Sequence, residues 1–400
     1  MTGCGCQFAN SGSGPVWHPD DGLKPAPTHP EGSKDIYRPD ILESIEATIK
    51  ELDQELRALS LDIHALLAHP ELRFEERYAH DALTTFMAKH GFEVEKHYHL
   101  ETAWRATFTH GEGGRTIGVN SEMDALPGVG HACGHNLIAI SAEEGGSGKI
   151  ILLEKGAYEG MSACLMSHPA PGPVGSVSLS SCLALERITV EYHGHTAHAA
   201  LSPWEGKNAL DAAVLGYNNI SALRQQLLPT HRVHGIFEGK DWVPNIIPDY
   251  AKMICYVRAP TRAELQVTIA RVLPCFQGAA LASGCEVNIT RDAVGTHDLR
   301  QNGALGAEVA QIVTAKYGAI DYEWGIKSAS TDFGNVGYAL PSLHPGFAIP
   351  TIKDGGNHTI GFQQAAATEV AHYATLDVTK ALAATGVRVL IDDEFLAKVI

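Results

Sequence analysis

Residues 121–146, SEMDALPGVGHACGHNLIAISAEEGG, gather Glu122, Asp124, His131, Cys133, His135, Glu143 and Glu144 into one short span. Cysteine sulfur, histidine nitrogen and carboxylate oxygen are the donors that borderline metals such as zinc take. Cys133 and His135 sit two apart on a loop whose neighbours are no larger than Ala132 and Gly134, and such a pair cannot hold a metal alone. The adjacent Glu143 and Glu144 offer what hydrolysis also requires: one oxygen ligand, and one carboxylate left free to take a proton from a metal-activated water. Two distant histidines complete the count. His168 lies in MSHP at the end of the apolar run ACLMS, and His358 lies in GGNHT after a turn. The set suits two metal ions about 3.5–4 Å apart.

Working outward, Ile117–Ser121 reads as a short strand that delivers Glu122 and Asp124 at its end, where ligands gather in sheet-and-helix proteins. Before it, Ile41, Ile45, Ile49, Leu52, Leu56, Leu59, Ile63 and Leu66 step by threes and fours along one amphipathic helix, and a second helix over about 75–90 stops at Gly91. Strands are expected at 94–100 and 104–109. From about 184 the pattern changes to β-α-β-β-α-β, with Thr261 and Glu264 spaced as a capping box at the second helix. The expected fold is therefore α/β: a discontinuous domain, 37–183 plus 292–400, of mixed sheet with helices on both faces, and an inserted ferredoxin-like α+β domain at 184–291. Residues 1–36, rich in Gly, Ser, Pro and His without periodicity, read as a disordered leader.

The composition narrows the partners. Forty-six acidic against thirty basic residues give a formal charge of −16, which disfavours nucleic acid and anionic membrane. No apolar run reads as the roughly 20 residues of a membrane span, and the N-terminus lacks the pattern of a signal peptide, so a cytoplasmic location is expected. Eight cysteines in 400 residues are too dilute for a disulfide scaffold.

Taken together, EMDALPGVGHACGHN, the EEGG pair, the HP turn, GHTAHAA followed by PWEGKNALDA, VPNIIP, and STDFGN followed by NHT resemble the metallopeptidase 20 family, from about residue 38 onward. The resemblance is nearest to its aminobenzoyl-glutamate hydrolase and Xaa-Arg dipeptidase branch, which carries Glu rather than His two residues before the Asp. It implies an amidohydrolase with two divalent ions, zinc or else manganese or cobalt. It assigns Cys133, His135, Glu144, His168 and His358 as metal ligands, Glu143 as general base, and Asp124 as the carboxylate that orients a ligand. The inserted domain becomes a lid and homodimerisation domain. Its His198 would reach a partner subunit's site to stabilise the oxyanion, helped by Asn245, while Arg258 would bind the substrate's free carboxylate. The implied substrates are dipeptides or N-acyl amino acids. A thiol nucleophile built from Cys133 and His135 would leave the acidic pair without a role.

One departure stands out. The family separates the HACGHN loop from the acidic pair by a long helix and a strand, on the order of 30 residues. Only seven residues, Asn136 to Ala142, intervene here. The expectation is a gap in the sheet, as from an internal deletion. Two readings follow: an active two-metal amidohydrolase, or a catalytically impaired relative that keeps its dimerising domain and serves as a binding or pairing subunit.

Overall fold

In the computed structural model, residues 36–65, 70–140, 148–321 and 329–400 are described. The expected leader and the pair Glu143 and Glu144 lie outside them. The chain divides into two compact units, formed by the described residues within Met1–Ser181, Arg300–Lys327 and Asn335–Ile400, and within Cys182–Leu299 and Ser328–Gly334.

The first unit opens with the amphipathic helix α1 (Pro39–His64), started by a proline at its first turn, where the missing N–H costs nothing. Helix α2 (Arg77–Lys89) leads to the hairpin β1 (Glu93–Lys96) and β2 (Trp104–Thr107). Strand β3 (Ile117–Val119), the short helices α3 (His135–Ala139) and α4 (Gly148–Glu154), and strands β4 (Ala163–Leu165), β5 (His168–Pro171) and β6 (Ser176–Ser178) follow.

The second unit is β7 (Ala184–His193), α5 (Ala209–Arg224), β8 (Arg232–Gly239), β9 (Tyr250–Ala259), α6 (Arg262–Ser283) and β10 (Glu286–Arg291). The chain then continues through α7 (Gly303–Ile312), β11 (Ala319–Ile320), α8 (Phe333–Ala339), β12 (Ser342–Leu343), β13 (Gly346–Ile349), α9 (Ile360–Ala366), α10 (Glu369–Ile391) and α11 (Asp393–Val399).

In the first unit, β12-β4-β3 pair in parallel, and β11-β6-β13-β5 form a mixed sheet in which β13 runs parallel to β5 and antiparallel to β6. The two are continuous in hydrogen bonding. Met166 N–H donates to Leu343 O at 2.9 Å and His168 N–H to Pro345 O at 3.1 Å, bridging the break at which both strands turn toward their prolines. β3 lies at the edge of this sheet, and the hairpin β1–β2 pairs with no other strand among the described residues. Leu137, Leu165, Leu305, Phe347, Phe362 and Val378 are among the residues buried in the unit's core.

The second unit has the sheet order β10-β7-β9-β8, every pair antiparallel, as a ferredoxin-like β-α-β-β-α-β chain requires. Strands β7 and β9 alternate buried and half-buried residues, so one face meets the helices. Asn208 caps α5 through Leu210 N–H and Asp211 N–H, and Thr261 caps α6 through Glu264 N–H at 3.2 Å. This unit starts at Cys182 and takes in 328–334 because Leu299 N–H bonds Cys182 O and Leu183 N–H bonds Ala329 O.

The expectation about apolar runs needs one correction. By length and composition α6 is apolar enough to cross a membrane. Its Leu265, Ile269, Val272 and Phe276, spaced by threes and fours, are buried in the core cluster that includes Ile188, Val190 and Met253. One face of the helix is therefore core packing, while Val267 and Leu281 on it are exposed.

Glu186 on β7 is fully buried and receives Arg262 Nη1 at 2.9 Å, Arg291 Nε at 2.5 Å and Gln266 Nε2 at 3.1 Å, tying α6 and β10 to β7. Burial works against the carboxylate, but Arg291, Gln266 and Arg262 outweigh it and hold Glu186 below its ordinary value of 4.5. Its contribution to stability is therefore complete above about pH 4.5 and lost as the pH falls through the lowered value. Glu186→Ala is expected to cost about 3–5 kcal/mol, because two partly buried guanidinium groups lose their partner. Urea unfolding at neutral pH checks the loss, and a series down to pH 3 should show the variant with a flatter acid limb than the parent.

Candidate metal centre

The site forms in the first unit around the loop that leaves β3. Asn120 N–H still bonds Leu165 O, after which the chain is fixed by Ala125 N–H to Glu71 O at 2.7 Å and by the turn from Leu126 to Gly130. Gly134 then adopts φ +82°, and a Cβ there would lie 2.5 Å from Pro169 Cγ. Glycine alone permits this close approach. It brings the HACGH loop against the His168–Pro169 turn at the start of β5.

His135 opens the fully buried α3. Its Nδ1 lies 2.8 Å from both the backbone oxygen and Oδ1 of Asp124. His168 Nδ1 donates to Pro169 O at 2.8 Å. Both rings are thereby held with Nδ1–H outward and Nε2 toward the centre, where a metal ion would take the place of a proton. Across from them, His358 adopts φ +70° and is pinned by its N–H on Ala132 O at 2.7 Å, and Thr359 next to it caps α9.

Cys133 Sγ lies 3.4 Å from His168 Nε2 and 3.6 Å from His358 Nε2. Ligand atoms of Cys133, His135 and His168 all lie within 4.8 Å of one another. With Zn–S near 2.3 Å and Zn–N near 2.0–2.1 Å, a tetrahedral site separates sulfur from nitrogen by about 3.5 Å. The donors present therefore fit a thiophilic divalent ion. Of the five expected ligands, Cys133, His135, His168 and His358 come together; Glu144, like Glu143, is outside the described residues.

Electrostatics prepare the donors. Burial works against charge on Cys133, but His168 and His135 outweigh it and hold the thiol well below its ordinary value. Burial also works against a charged His135, but Asp124, Cys133 and Glu122 hold it well above its own.

Two participants carry no role in the sequence reading. Glu122, 1% exposed, places Oε2 2.9 Å from His135 Nε2 and 3.7 Å from His168 Nε2. Lys149 at the start of α4, also 1% exposed, sets Nζ 3.4 Å from Glu122 Oε1. Glu122 had a signal, its place at the strand end beside Asp124; Lys149 had none beyond opening an apolar helix.

His198, Asn245 and Arg258 lie in the second unit. His198 Nδ1 accepts from Ala200 N–H at 3.2 Å and Leu201 N–H at 3.1 Å, which leaves its proton on Nε2. Ala199 N–H on Asn245 O and Ile247 N–H on Ala197 O zip the HTAHAA and VPNIIP loops together. Arg258 on β9 donates from Nη1 to Ser330 Oγ at 2.9 Å and approaches His234 Nε2 at 3.4 Å. Burial pulls it below the ordinary guanidinium value, and among the described residues no carboxylate lies within ion-pair distance.

Such a donor set in a two-unit α/β chain defines a metal-dependent amidohydrolase or peptidase. Residues 185–277 match the model of the peptidase dimerisation domain of the M20 family. The chain is 38% identical to a human Xaa-Arg dipeptidase over 87% of its own length and 88% of the relative's. It is 26% identical to one of the chains of the Escherichia coli p-aminobenzoyl-glutamate hydrolase, over 82% and 88%. Its fold is similar to that of a dinuclear metal-binding M20 peptidase from Bacillus subtilis, with a TM-score of 0.58 at 18% identity over 82% and 98%. The chain belongs to the M20 family of metallopeptidases and amidohydrolases, and it is an enzyme of that class. The human match runs over 393 aligned positions, whereas 87% of 400 residues is about 348, so about 45 positions of the relative face no residue here.

Because the thiolate form is favoured, Cys133 is expected to react with iodoacetamide at neutral pH faster than Cys275, which burial raises instead. Zinc should protect it. Peptide-resolved mass spectrometry of the chelator-treated chain, with and without added zinc, reads both rates; equal rates, or no protection, would contradict the site.

Proposed function

We propose that this enzyme hydrolyses the amide bond of a dipeptide or N-acyl amino acid that ends in a free carboxylate, with Glu143 as the general base. The observation that carries the reading is the convergence of Cys133, His135 and His168, with His358 Nε2 3.6 Å from Cys133 Sγ. The names of its relatives, a Xaa-Arg dipeptidase and an aminobenzoyl-glutamate hydrolase, support the substrate class, since each denotes an amide with an amino-acid leaving group.

Cys133, His135, His168 and His358, with Glu144, would hold two divalent ions, zinc being favoured by the sulfur and imidazole donors. When bound, the ions polarise the scissile carbonyl and acidify water. Asp124 keeps the His135 tautomer fixed, so Nε2 stays a donor to metal. Glu143 takes the proton of the attacking water on a carboxylate oxygen and delivers it to the departing amine nitrogen. His198 would act in the site of a second copy of the chain, offering its Nε2–H to the carbonyl oxygen as that atom gains charge. Arg258, a half-buried cation facing only neutral partners among the described residues, supplies the planar fork that a carboxylate accepts in two parallel bonds.

The competing reading, a non-catalytic pairing subunit, rests on the seven-residue connector. Metal per chain after dialysis and hydrolysis of Xaa-Arg dipeptides separate the two. The enzyme reading expects two ions per chain and a loss of about 10²–10⁴ in kcat for Glu143→Ala; fewer than one ion and no turnover by the parent chain would sink it. Arg258→Ala should lower kcat/KM for free acids by about 30-fold or more, chiefly through KM, as loss of a charged hydrogen-bonded pair does. The same variant should leave carboxamide analogues nearly unaffected, and an equal loss on both would remove the carboxylate role.

A further inference from the structure

The sheet of the second unit carries a group of cations that the proposed reaction uses only in part. Ala251, Met253, Cys255 and Val257 of β9 are buried in the core with residues of α5 and α6, so Tyr256 and Arg258, which alternate with them, lie on the open face. The register sets Leu185 of β7 and Arg232 of β8 opposite Arg258, and Arg187 of β7 and His234 of β8 opposite Tyr256. Arg187, Arg232 and Arg258 therefore stand on one face, in adjoining rows of the ladder. Like charges placed so repel, yet none of them forms an ion pair among the described residues.

Their donors meet neutral groups or nothing. Arg258 Nε donates to His234 Nε2 at 3.4 Å and its Nη1 to Ser330 Oγ at 2.9 Å. Arg232 Nη1 donates to His231 O at 2.8 Å. Burial, Arg258 and Arg224 hold His234 below its ordinary value, so at neutral pH it stands as an uncharged acceptor. Arg187 is half-buried, and its Nε, closed off from solvent, has no hydrogen-bond partner. Asp292 Oδ2 takes the backbone N–H of Arg187 at 3.2 Å and leaves the guanidinium unpaired. An unmet charged donor shut away from water costs free energy that a bound anion would offset. Arg187 and Arg258 lie on a diagonal between β7 and β9, a separation of about 7–8 Å that two long side chains can close around one small dicarboxylate.

We propose that Arg187 is a specificity-determining residue that takes the side-chain carboxylate of an acidic leaving residue, aspartate or glutamate, while Arg258 takes its α-carboxylate. The assignment rests on the reading in which Arg258 binds the free carboxylate of the substrate. It narrows that reading from any free acid to a dicarboxylic amino acid as the product released. A neutral side chain on the leaving residue would leave Arg187 unmet, and a lysine or arginine there would add a positive charge to those already present.

The test uses the zinc-loaded full chain and a matched series, Ala-Glu, Ala-Gln and Ala-Lys, together with the N-acetyl forms of the same leaving residues, with kcat and KM determined separately. The parent should favour Ala-Glu over Ala-Gln by about 30-fold or more in kcat/KM, the usual worth of a hydrogen-bonded charge, and over Ala-Lys by more. Arg187→Gln should bring the Ala-Glu to Ala-Gln ratio to within about threefold of unity, through a rise in KM for Ala-Glu with kcat little changed. Arg187→Lys, which keeps the charge but not the fork, should retain part of the preference, and Arg187→Glu should invert it in favour of Ala-Lys. Arg258→Ala should lower kcat/KM for the whole series while the order of preference stays. Circular dichroism identifies the folded variants.

Equal turnover of Ala-Glu and Ala-Gln by the parent, or a parent preference for Ala-Lys, would overturn the role of Arg187 while leaving the amidohydrolase reading and Arg258 standing. An unchanged ratio in folded Arg187→Gln and Arg187→Glu would do the same. A parent that cleaves none of the series would remove the functional reading and the proposal with it.

Discussion

The approach of Gly134 to the ring of Pro169 is the constraint on which the centre depends. A single added carbon at position 134 would sit 2.5 Å from Pro169 Cγ, so the HACGH loop and the turn after β4 must close together or not at all. Once they close, Cys133 and His168 are neighbours, and the engagement of Nδ1 on His135 and His168 decides which nitrogen each ring presents. His358 joins from the far end of the chain through its own N–H on Ala132 O, in a left-handed conformation uncommon outside glycine. Backbone contacts thus set where the metal-binding side chains lie.

Much of this was legible in the sequence because it is local. Thr261 caps α6 as its spacing with Glu264 suggests, and the alternation in β7 and β9 and the order of elements fix the ferredoxin-like sheet. Cys133, His135, His168 and His358 were recognisable by type and by the Gly and Pro around them. The illegible part is what depends on distance along the chain. Glu122 and Lys149 meet across 27 positions, and Arg258 meets Ser330 across 72, separations over which no periodicity carries information. The apolar run of α6 misleads for a related reason: composition records how much of a helix avoids water, and only packing says whether lipid or protein covers it.

The sheet of the first unit shows what the short connector means physically. The human relative's surplus of about 45 aligned positions is of the size of the helix-and-strand unit expected between the metal loop and the acidic pair. Among the described residues β3 ends the sheet, while the hairpin β1–β2 pairs with no other strand. Cys133, His135 and His168 nevertheless converge, with His358 beside Cys133, because the contacts that place them run through Pro169, Asp124 and Ala132.

That edge has a consequence for how copies of the chain behave toward one another. Val119 on β3 is 62% exposed and a row of main-chain groups beside it has no strand to pair with among the described residues, which is the template on which foreign strands add. Three residues make a short template, and a formal charge of −16 makes each copy repel the next. Mild acid removes that repulsion while leaving the edge intact, so a buffer near the isoelectric region invites self-association, and colloidal stability is set by charge where the fold has left a seam.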